Sequence, residues 1–310
     1  MHSLITLWQG TANTWDCDEM GHMNVRVYVE KAMEGLGTFA HAIDMPHAFR
    51  PNMPSTLLPA EQHIRFMREI RPGQPVNMHG CVLEAGDCDA VIYQEIQHSD
   101  GTPSAAFRTR IQHVEAKSGQ PFPWSKRTRE KLEALKDTPP KATAPRSITP
   151  FGEALPADKA TLAIAEAAGV HAIGTGSVPP QHCDLNGRMQ AQWFIGRVSD
   201  SVPNLMRAWR ETVAASVGGA EQGAAVLEYR LVYRRWPRAG DLFQVRTGLA
   251  RVEEKFHSLV HWMLDPVTGE AWMTSEAIAV TLDLKARKII PSSPEKMKDL
   301  EALAPKGLKI

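Results

Sequence analysis

Two short stretches of the sequence concentrate residues that can carry out acid–base chemistry. The first, "WDCDEMGHMN", contains Asp16, Asp18, Gly21, His22 and Asn24 directly before an amphipathic run. A carboxylate can attack a carbonyl carbon or take a proton from water, and histidine titrates near neutral pH. Glycine lets a carbonyl group approach the backbone N–H groups at a helix start, where the helix dipole favours negative charge. This stretch therefore indicates either a catalytic site of this kind or only a well-capped helix start.

The second stretch, "QHCDLNGRMQ", repeats the first at a shift of 166 residues, because 184 − 18 = 166. Cys, Asp, Gly and Met coincide, so Asp184 and Gly187 match the first copy. Three positions differ, since Asp16, His22 and Asn24 are replaced by His182, Arg188 and Gln190. The similarity continues downstream and aligns Glu61 with Glu228. The sequence therefore predicts two copies of one domain.

Each copy has the pattern of one long helix followed by several strands. Apolar residues recur at three- and four-residue spacing from about Asn24 to Ala42, and the matching helix is expected from about Gln190 to Arg210. Four alternating or β-branched runs follow each helix, joined by Gly-containing turns typical of antiparallel neighbours. The Pro-rich segment 137–160 has the composition of a linker. An α+β fold is predicted, with domains at 1–136 and 161–310.

Several candidate residues also have a structural interpretation. Asp18 lies where an N-cap residue is common, but capping does not explain why Asp184 recurs within a matched domain. Asn24 can orient a catalytic carboxylate or bond to local backbone, and His22 belongs either to the site or to the surface. Asp16 is expected to be structural, because the second copy does not keep it.

Glu61 and Glu228 occupy matched positions in a strand pattern. Alternation places Tyr229 and Leu231 toward the helix and Glu228 on the opposite face. A solvated or interface row of charges is the simpler interpretation of these glutamates. The alternative is that each glutamate reaches the site of the other copy.

The four cysteines are too few for a disulfide scaffold and form no CxxC pair, which favours a reducing compartment. Cys17 with His22 resembles a Cys–His nucleophile, but the second copy keeps Cys183 and lacks the base. Both cysteines are therefore expected to be small buried residues. No paired metal-ligand spacing is present, so neither zinc nor another cofactor is predicted.

The composition argues against several classes of partner. Lys plus Arg and Asp plus Glu both total 35, so the chain has no excess of positive charge that would favour binding to nucleic acid. No apolar run approaches the roughly 18 residues of a membrane span, and the N-terminus lacks the pattern of a signal peptide. A soluble cytoplasmic protein is the expectation.

The pattern "DxDxxGHMNxxxY" formed by Asp16, Asp18, Gly21, His22, Asn24 and Tyr28 resembles the hotdog-fold acyl thioesterases of the 4-hydroxybenzoyl-CoA thioesterase-like group. The second copy's "CDLNGRM" and "LEYRLVYRR" are similar to segments of the acyl-carrier-protein thioesterases, which fuse two hotdog domains. The resemblance implies two tandem hotdog domains, each a long helix wrapped by an antiparallel sheet, forming an intrachain pseudo-dimer.

The same resemblance implies the activity and its residues. Asp18 and Asp184 would act as general base or nucleophile on an acyl-CoA or acyl-carrier-protein thioester, assisted by His22. The expected substrate-binding residues are Gly21, Asn24, Asn186, Gly187, Glu61 and Glu228. A hotdog hydratase or dehydratase and a non-catalytic acyl-thioester-binding module are the alternatives, and a dimer of such chains is plausible.

Overall fold

The computed structural model describes residues 4–212, 222–283, 285–286, 288–305 and 307–310, without the side chains of 206–212 and 222. The chain divides into two compact units. The first consists of Met1–Pro145 with Gln181–Ile195, and the second of Arg146–Pro180 with Gly196–Ile310. Both acidic stretches, around Asp18 and around Asp184, therefore belong to the first unit.

The first unit combines one long helix with an antiparallel sheet. Its elements are β1 (Ile5–Thr11), α1 (Val25–Ala42), β2 (Ser55–Phe66), β3 (Pro75–Ala85), β4 (Asp89–His98), β5 (Pro103–Glu115) and α2 (Lys126–Ala134). The strand order is β1-β3-β4-β5-β2, and every neighbouring pair is antiparallel. Helix α1 buries Tyr28, Val29, Ala32 and Leu36 of the predicted apolar stripe. The three- and four-residue spacing of apolar residues therefore correctly predicts the buried face of the helix.

The second unit repeats this arrangement. Its elements are α3 (Leu162–Ala167), β6 (His171–Ser177), α4 (Gln192–Thr212, shared with the first unit), β7 (Gln222–Tyr233), β8 (Leu242–Val252), β9 (His257–Leu264), β10 (Ala271–Asp283), β11 (Lys288–Ile289) and α5 (Pro294–Leu303). The strand order β6-β8-β9-β10-β7 matches that of the first sheet, and β11 pairs with β10. The predicted repeat and α+β class are confirmed. No helix in the described part of the chain is long and apolar enough to cross a membrane.

The segment after α2 covers the outer face of the first sheet. The Arg108 guanidinium donates to the Thr143 carbonyl at 3.0 Å, and the Tyr93 and Thr143 hydroxyls lie 2.8 Å apart. Arg65 donates to the carbonyls of Ala142 and Ala144. Since Thr143 is completely buried, this Pro-rich segment packs on the sheet as an ordered part of the fold.

The outer face of the second sheet is covered in the same manner. The Glu228 carboxylate accepts from the N–H groups of Arg146 and Ser147 at 2.9 and 2.8 Å, and Arg230 donates to the carbonyls of Gly152 and Glu153. Farther along this face, α3 packs on a cluster that includes Val260, Trp262 and Ile310. The interpretation of Glu228 and its neighbours as a solvated row is wrong.

Candidate functional site

Asp18 lies in a closed loop that immediately precedes α1. Its N–H donates to the His22 carbonyl at 2.9 Å, and Cys17 and Met23 form an isolated β-bridge across the loop. Oδ1 of Asp18 accepts from the N–H groups of Met20 and His22, at 2.9 and 3.3 Å. Within the described part of the chain nothing donates to the other oxygen, Oδ2. The carboxylate is therefore held by one oxygen, while no donor among the described residues reaches the second.

Gly21 closes this loop in a conformation that other residues rarely adopt. Its φ is +73°, and its N–H donates to the Asp18 carbonyl at 3.0 Å. A Cβ atom at this position would meet no other atom within 4 Å. The observed reason for glycine is therefore the left-handed backbone, and the open space beside it is compatible with the predicted approach of a substrate.

The loop around Asp184 has the same construction. Its Oδ1 accepts from the N–H groups of Asn186 and Arg188 at 2.8 and 2.9 Å, and Gly187 has φ +77°. The Asp184 N–H donates to the Arg188 carbonyl, and Cys183 bridges Met189. The two copies therefore differ in the side chains around the loop and not in its backbone.

The other polar residues of the first stretch stabilise the loop and the helix. Asn24 is the N-cap of α1, and its side chain accepts from the Arg26 N–H at 2.8 Å, so Asp18 is not the cap of this helix. Asp16 is buried and its Oδ2 accepts from the N–H of Asn13 at 2.8 Å, which confirms its structural role. Asn24 thus has the local backbone partner, and its expected part in the site stays a prediction.

His22 is oriented by a residue that sequence reasoning missed. Its Nε2 lies 3.1 Å from Oε2 of Glu69, and the imidazole is mostly buried while the glutamate is more exposed. Glu69 follows β2 and has no motif around it that would single it out. A carboxylate that holds one ring nitrogen fixes the orientation of the ring, so the loop carries a His–Glu pair beside Asp18.

The residues that replace His22 and Asp16 in the second copy make different contacts. Arg188 is buried and donates to the Ala116 carbonyl. His182 stacks on Trp193, with ring centroids 3.3 Å apart, and the Arg26 guanidinium lies 4.7 Å from the same indole ring. The Asp184 loop thus has a buried cation where the Asp18 loop has the His22 imidazole, and a stacked His–Trp pair where it has Asp16.

Cys17 is a poor nucleophile in this environment. Burial raises the pKa of its thiol, and the neighbouring carboxylates of Asp16 and Asp18 raise it further. A higher pKa leaves less of the reactive thiolate near neutral pH. Cys17 and Cys183 are half-buried, so the expectation that both are fully buried is wrong. The residues that the structure describes contain no group of three His, Cys, Asp or Glu side chains placed to hold a metal.

The two predicted strand glutamates occupy buried positions. Glu61 lies on β2 opposite Arg110 of β5, and Glu228 bonds to the backbone of residues 146–147. The side chain of Asn186 is half-buried, and its backbone N–H is the group that holds Asp184.

Known proteins share this architecture. A family model described as the thioesterase-like superfamily matches residues 12–132 and again 178–300. The fold is similar to a putative oleoyl thioesterase from Lactobacillus plantarum, with a TM-score of 0.68 and 12% identity over 94% of this chain and 98% of that one. It is also similar to an acyl-ACP thioesterase from Bacteroides thetaiotaomicron (TM-score 0.62, 13% identity, 89% and 97% covered). A third similar structure is the 12:0-ACP thioesterase from Umbellularia californica (TM-score 0.66, 9% identity, 89% and 93% covered).

No curated protein matches the chain in sequence. At 9–13% identity, the structural likeness establishes the fold and not the substrate. The family model matches both repeats, and each repeat has the long helix and antiparallel sheet of a hotdog domain. The chain belongs to the thioesterase-like superfamily and consists of two tandem hotdog domains.

Proposed function

We propose that the protein hydrolyses an acyl-CoA or acyl-carrier-protein thioester and that Asp18 carries the reaction. The observation that supports this most directly is the arrangement of the Asp18 carboxylate. One oxygen is fixed by two backbone N–H groups, and the other has no donor within the described part of the chain. A carboxylate oxygen held in this way can attack a thioester carbonyl or take a proton from a water molecule.

The reaction also requires a donor for the charge that develops on the carbonyl oxygen. The N–H of Val25, the first residue of α1, is among the helix-start donors that an α-helix cannot satisfy by itself. Asn24 occupies the Arg26 N–H, so Val25 is the better candidate for this role. Gly21 keeps the approach to the loop free of side-chain atoms.

His22 serves as a positioning group or a proton carrier for the same step. Glu69 holds its Nε2, which leaves Nδ1 directed away from that carboxylate. His22 also contributes its backbone N–H to Asp18. A single residue therefore joins the fixed carboxylate to an oriented imidazole, an arrangement that the second loop lacks because Arg188 occupies the position.

Asp184 forms a second site of different chemistry. Its loop repeats the backbone geometry, but Arg188 supplies a permanent positive charge where the first loop has a titratable ring. Asn186 and Gly187 are the residues that contact the thioester or its carrier there. Asp184 contributes less than Asp18 to turnover.

The test is the release of free thiol from acyl-CoA and acyl-carrier-protein substrates by wild type, Asp18→Asn, Asp184→Asn and the double variant. Asparagine keeps the Oδ1 that accepts both N–H groups but removes the nucleophile or base, so Asp18→Asn should lose about 10²- to 10⁴-fold in kcat. Asp184→Asn should lose much less. A fully active double variant contradicts the proposal.

Asp265 provides a matched control for the substitution itself. Its Oδ1 also accepts from two backbone N–H groups, those of Val267 and Thr268, in a half-buried turn. Asp265→Asn should therefore reproduce any effect of the amide on folding without reducing thiol release. Tight binding of an acyl thioester without turnover would favour a binding module instead, and enoyl or hydroxyacyl products would favour a hydratase.

A further inference from the structure

Two facing side chains buried in the second unit each have a polar atom without a hydrogen-bond partner within the described part of the chain. His261 on β9 and Ser275 on β10 are directly opposite each other in the sheet register, and neither is exposed to solvent. Nδ1 of His261 lies 2.7 Å from the Thr247 hydroxyl on β8. Nε2 of His261 and Oγ of Ser275 have no hydrogen-bond partner among the residues that the structure describes. Leaving a buried polar group unpaired is costly, so these two atoms need an explanation.

Both side chains point to the helix side of the sheet. Thr247 lies four residues after Phe243 on β8, so the two share a face, and the Arg197 guanidinium of α4 lies 5.4 Å from the Phe243 ring. His261 and Ser275 follow Thr247 across the sheet in register. They therefore lie in the interior between the sheet and α4.

The same row of the first unit is completely satisfied. There Gly80, Gln94 and Phe107 occupy the positions of Thr247, His261 and Ser275 in the matching strands. Gln94 donates its side-chain N–H to the Ala32 carbonyl of α1 at 2.7 Å. Phe107 is fully buried and fills the interior. The first unit thus provides an internal reference. At the same place it has one polar side chain, which is hydrogen-bonded, and one large apolar side chain, which fills the interior.

The second unit has gained polarity at this place. Ser275 stands at the position of the first unit's phenylalanine, while Thr247 stands at the position of Gly80 and Val198 at the position of Ala32. Leu259, Met263 and Met273 are buried around the two polar residues. The result is a small polar spot surrounded by apolar side chains, which is how ligand pockets obtain specificity.

The chemistry of the spot favours an uncharged group. Burial lowers the pKa of His261 to about 3, so the imidazole is neutral near pH 7. A neutral ring nitrogen and a hydroxyl cannot compensate the desolvation of an ion. They can bond to a hydroxyl or a carbonyl oxygen, because Ser275 donates or accepts and the free ring nitrogen donates or accepts according to its tautomer.

We propose that the interior of the second unit binds a hydroxyl or oxo group carried on the acyl chain of the substrate, through His261 Nε2 and Ser275 Oγ. The proposal rests on the proposed thioester hydrolysis for the identity of the chain, since an acyl group is an apolar tail that reaches such an interior. These two contacts make the protein selective for oxygen-bearing acyl groups over unsubstituted acyl groups of equal length.

The direct test is binding of free fatty acids, measured by isothermal titration calorimetry. Acids with β-hydroxy, β-oxo or ω-hydroxy groups are compared with unsubstituted acids of the same length. Wild type should bind at least one oxygen-bearing acid about 5- to 10-fold more tightly, the value of one or two new hydrogen bonds. The ratios of kcat/KM for the corresponding thioesters should show the same preference.

Two substitutions of Ser275 test the role of its hydroxyl group and the role of its small side-chain volume separately. Ser275→Ala should abolish most of the preference without lowering the melting temperature, because no hydrogen bond within the protein is lost. Ser275→Phe places the side chain of the first unit there and should weaken binding of every acid. Ser258→Ala is the matched control, since Ser258 is also completely buried but donates to Glu276 at 2.6 Å. It should lower stability and leave the preference unchanged.

Equal binding of oxygen-bearing and unsubstituted acids by wild type overturns the proposal, whether or not thioesters are hydrolysed. A crystal structure with only a water molecule between His261 and Ser275 in the presence of these acids overturns it as well. If the preference is found but no thiol is released from any thioester, the proposed activity fails and the binding site stands.

Discussion

Glu228 offers a sharp test of whether a buried strand carboxylate serves the fold or the reaction. Its Oε1 accepts from the Arg146 N–H at 2.9 Å and its Oε2 from the Ser147 N–H at 2.8 Å. The side chain is 2% exposed, so both bonds form away from water. In Glu228→Gln one oxygen is kept, and the other becomes an NH₂ group that faces a backbone donor.

The expected cost follows from these two bonds. A hydrogen bond to a charged group contributes about 1.5–3 kcal/mol, and a buried donor left unpaired costs a further 1–3 kcal/mol. Allowing for relaxation of the covering segment, Glu228→Gln should lose about 2–4 kcal/mol. For a unit of this size each kcal/mol corresponds to about 2–4 °C in melting temperature, so a drop of about 5–15 °C is expected.

The measurement is calorimetric unfolding of wild type and variant, together with thiol release well below the melting temperature. Glu270→Gln is the control, because Glu270 forms an exposed ion pair with Arg235 that should contribute less than about 1 kcal/mol. A structural Glu228 predicts lower stability with kcat changed less than about threefold, since both of its oxygens bond to the backbone of residues 146–147. An unchanged melting temperature with a large loss of kcat would refute this reasoning and return Glu228 to the active site.

The remaining predictions concern backbone strain, the thiol and acid stability. Gly21→Ala should lower stability by about 1–2 kcal/mol because the φ of Gly21 is +73°. Gly37→Ala should raise the melting temperature because Gly37 lies inside α1, where alanine is the better helix former. Thermal unfolding compares the two variants. Cys17→Ala should keep thiol release within about threefold of wild type, and the raised pKa of Cys17 should make its alkylation by iodoacetamide slow near pH 7. His261 has a pKa of about 3 in the folded protein against 6.5 unfolded, so protons favour the unfolded state and stability is lost as the pH falls below 6.5. In His261→Phe, urea unfolding at several pH values should show that loss reduced by up to about 1.4 kcal/mol per pH unit.

The order and type of the elements could be predicted because local periodicity encodes them. Tyr229 and Leu231 alternate with Glu228 and Arg230, and the two apolar residues are buried on the helix side as the alternation predicts. The capping residue Asn24 stands immediately before the apolar stripe of α1. These features depend on residues a few positions apart, so a single sequence contains them.

The contacts that could not be predicted join residues far apart in the chain. Alternation alone leaves the outer face of a strand open to solvent, and only the folded chain shows that a segment 82 positions earlier covers Glu228. The pairing of His22 with Glu69 has the same origin, because β2 must first be placed beside the start of α1. The sequence selected Asp18 and Asp184 through their repeat, but not the partners that make their surroundings different.

The segment that joins the two repeats has a consequence for engineering this chain. In a tandem protein the inter-domain segment is the usual choice for splitting the gene or inserting a fusion partner. Here the carbonyls of residues 142–144 and 152–153 accept from arginines of the sheets, so a cut there would free buried guanidinium groups. The carbonyl groups of the exposed hairpin turn at Gly101 accept from no arginine within the described residues, so this turn tolerates insertion better. A fusion partner is therefore best inserted at the Gly101 hairpin of the first unit and not in the segment between the two repeats.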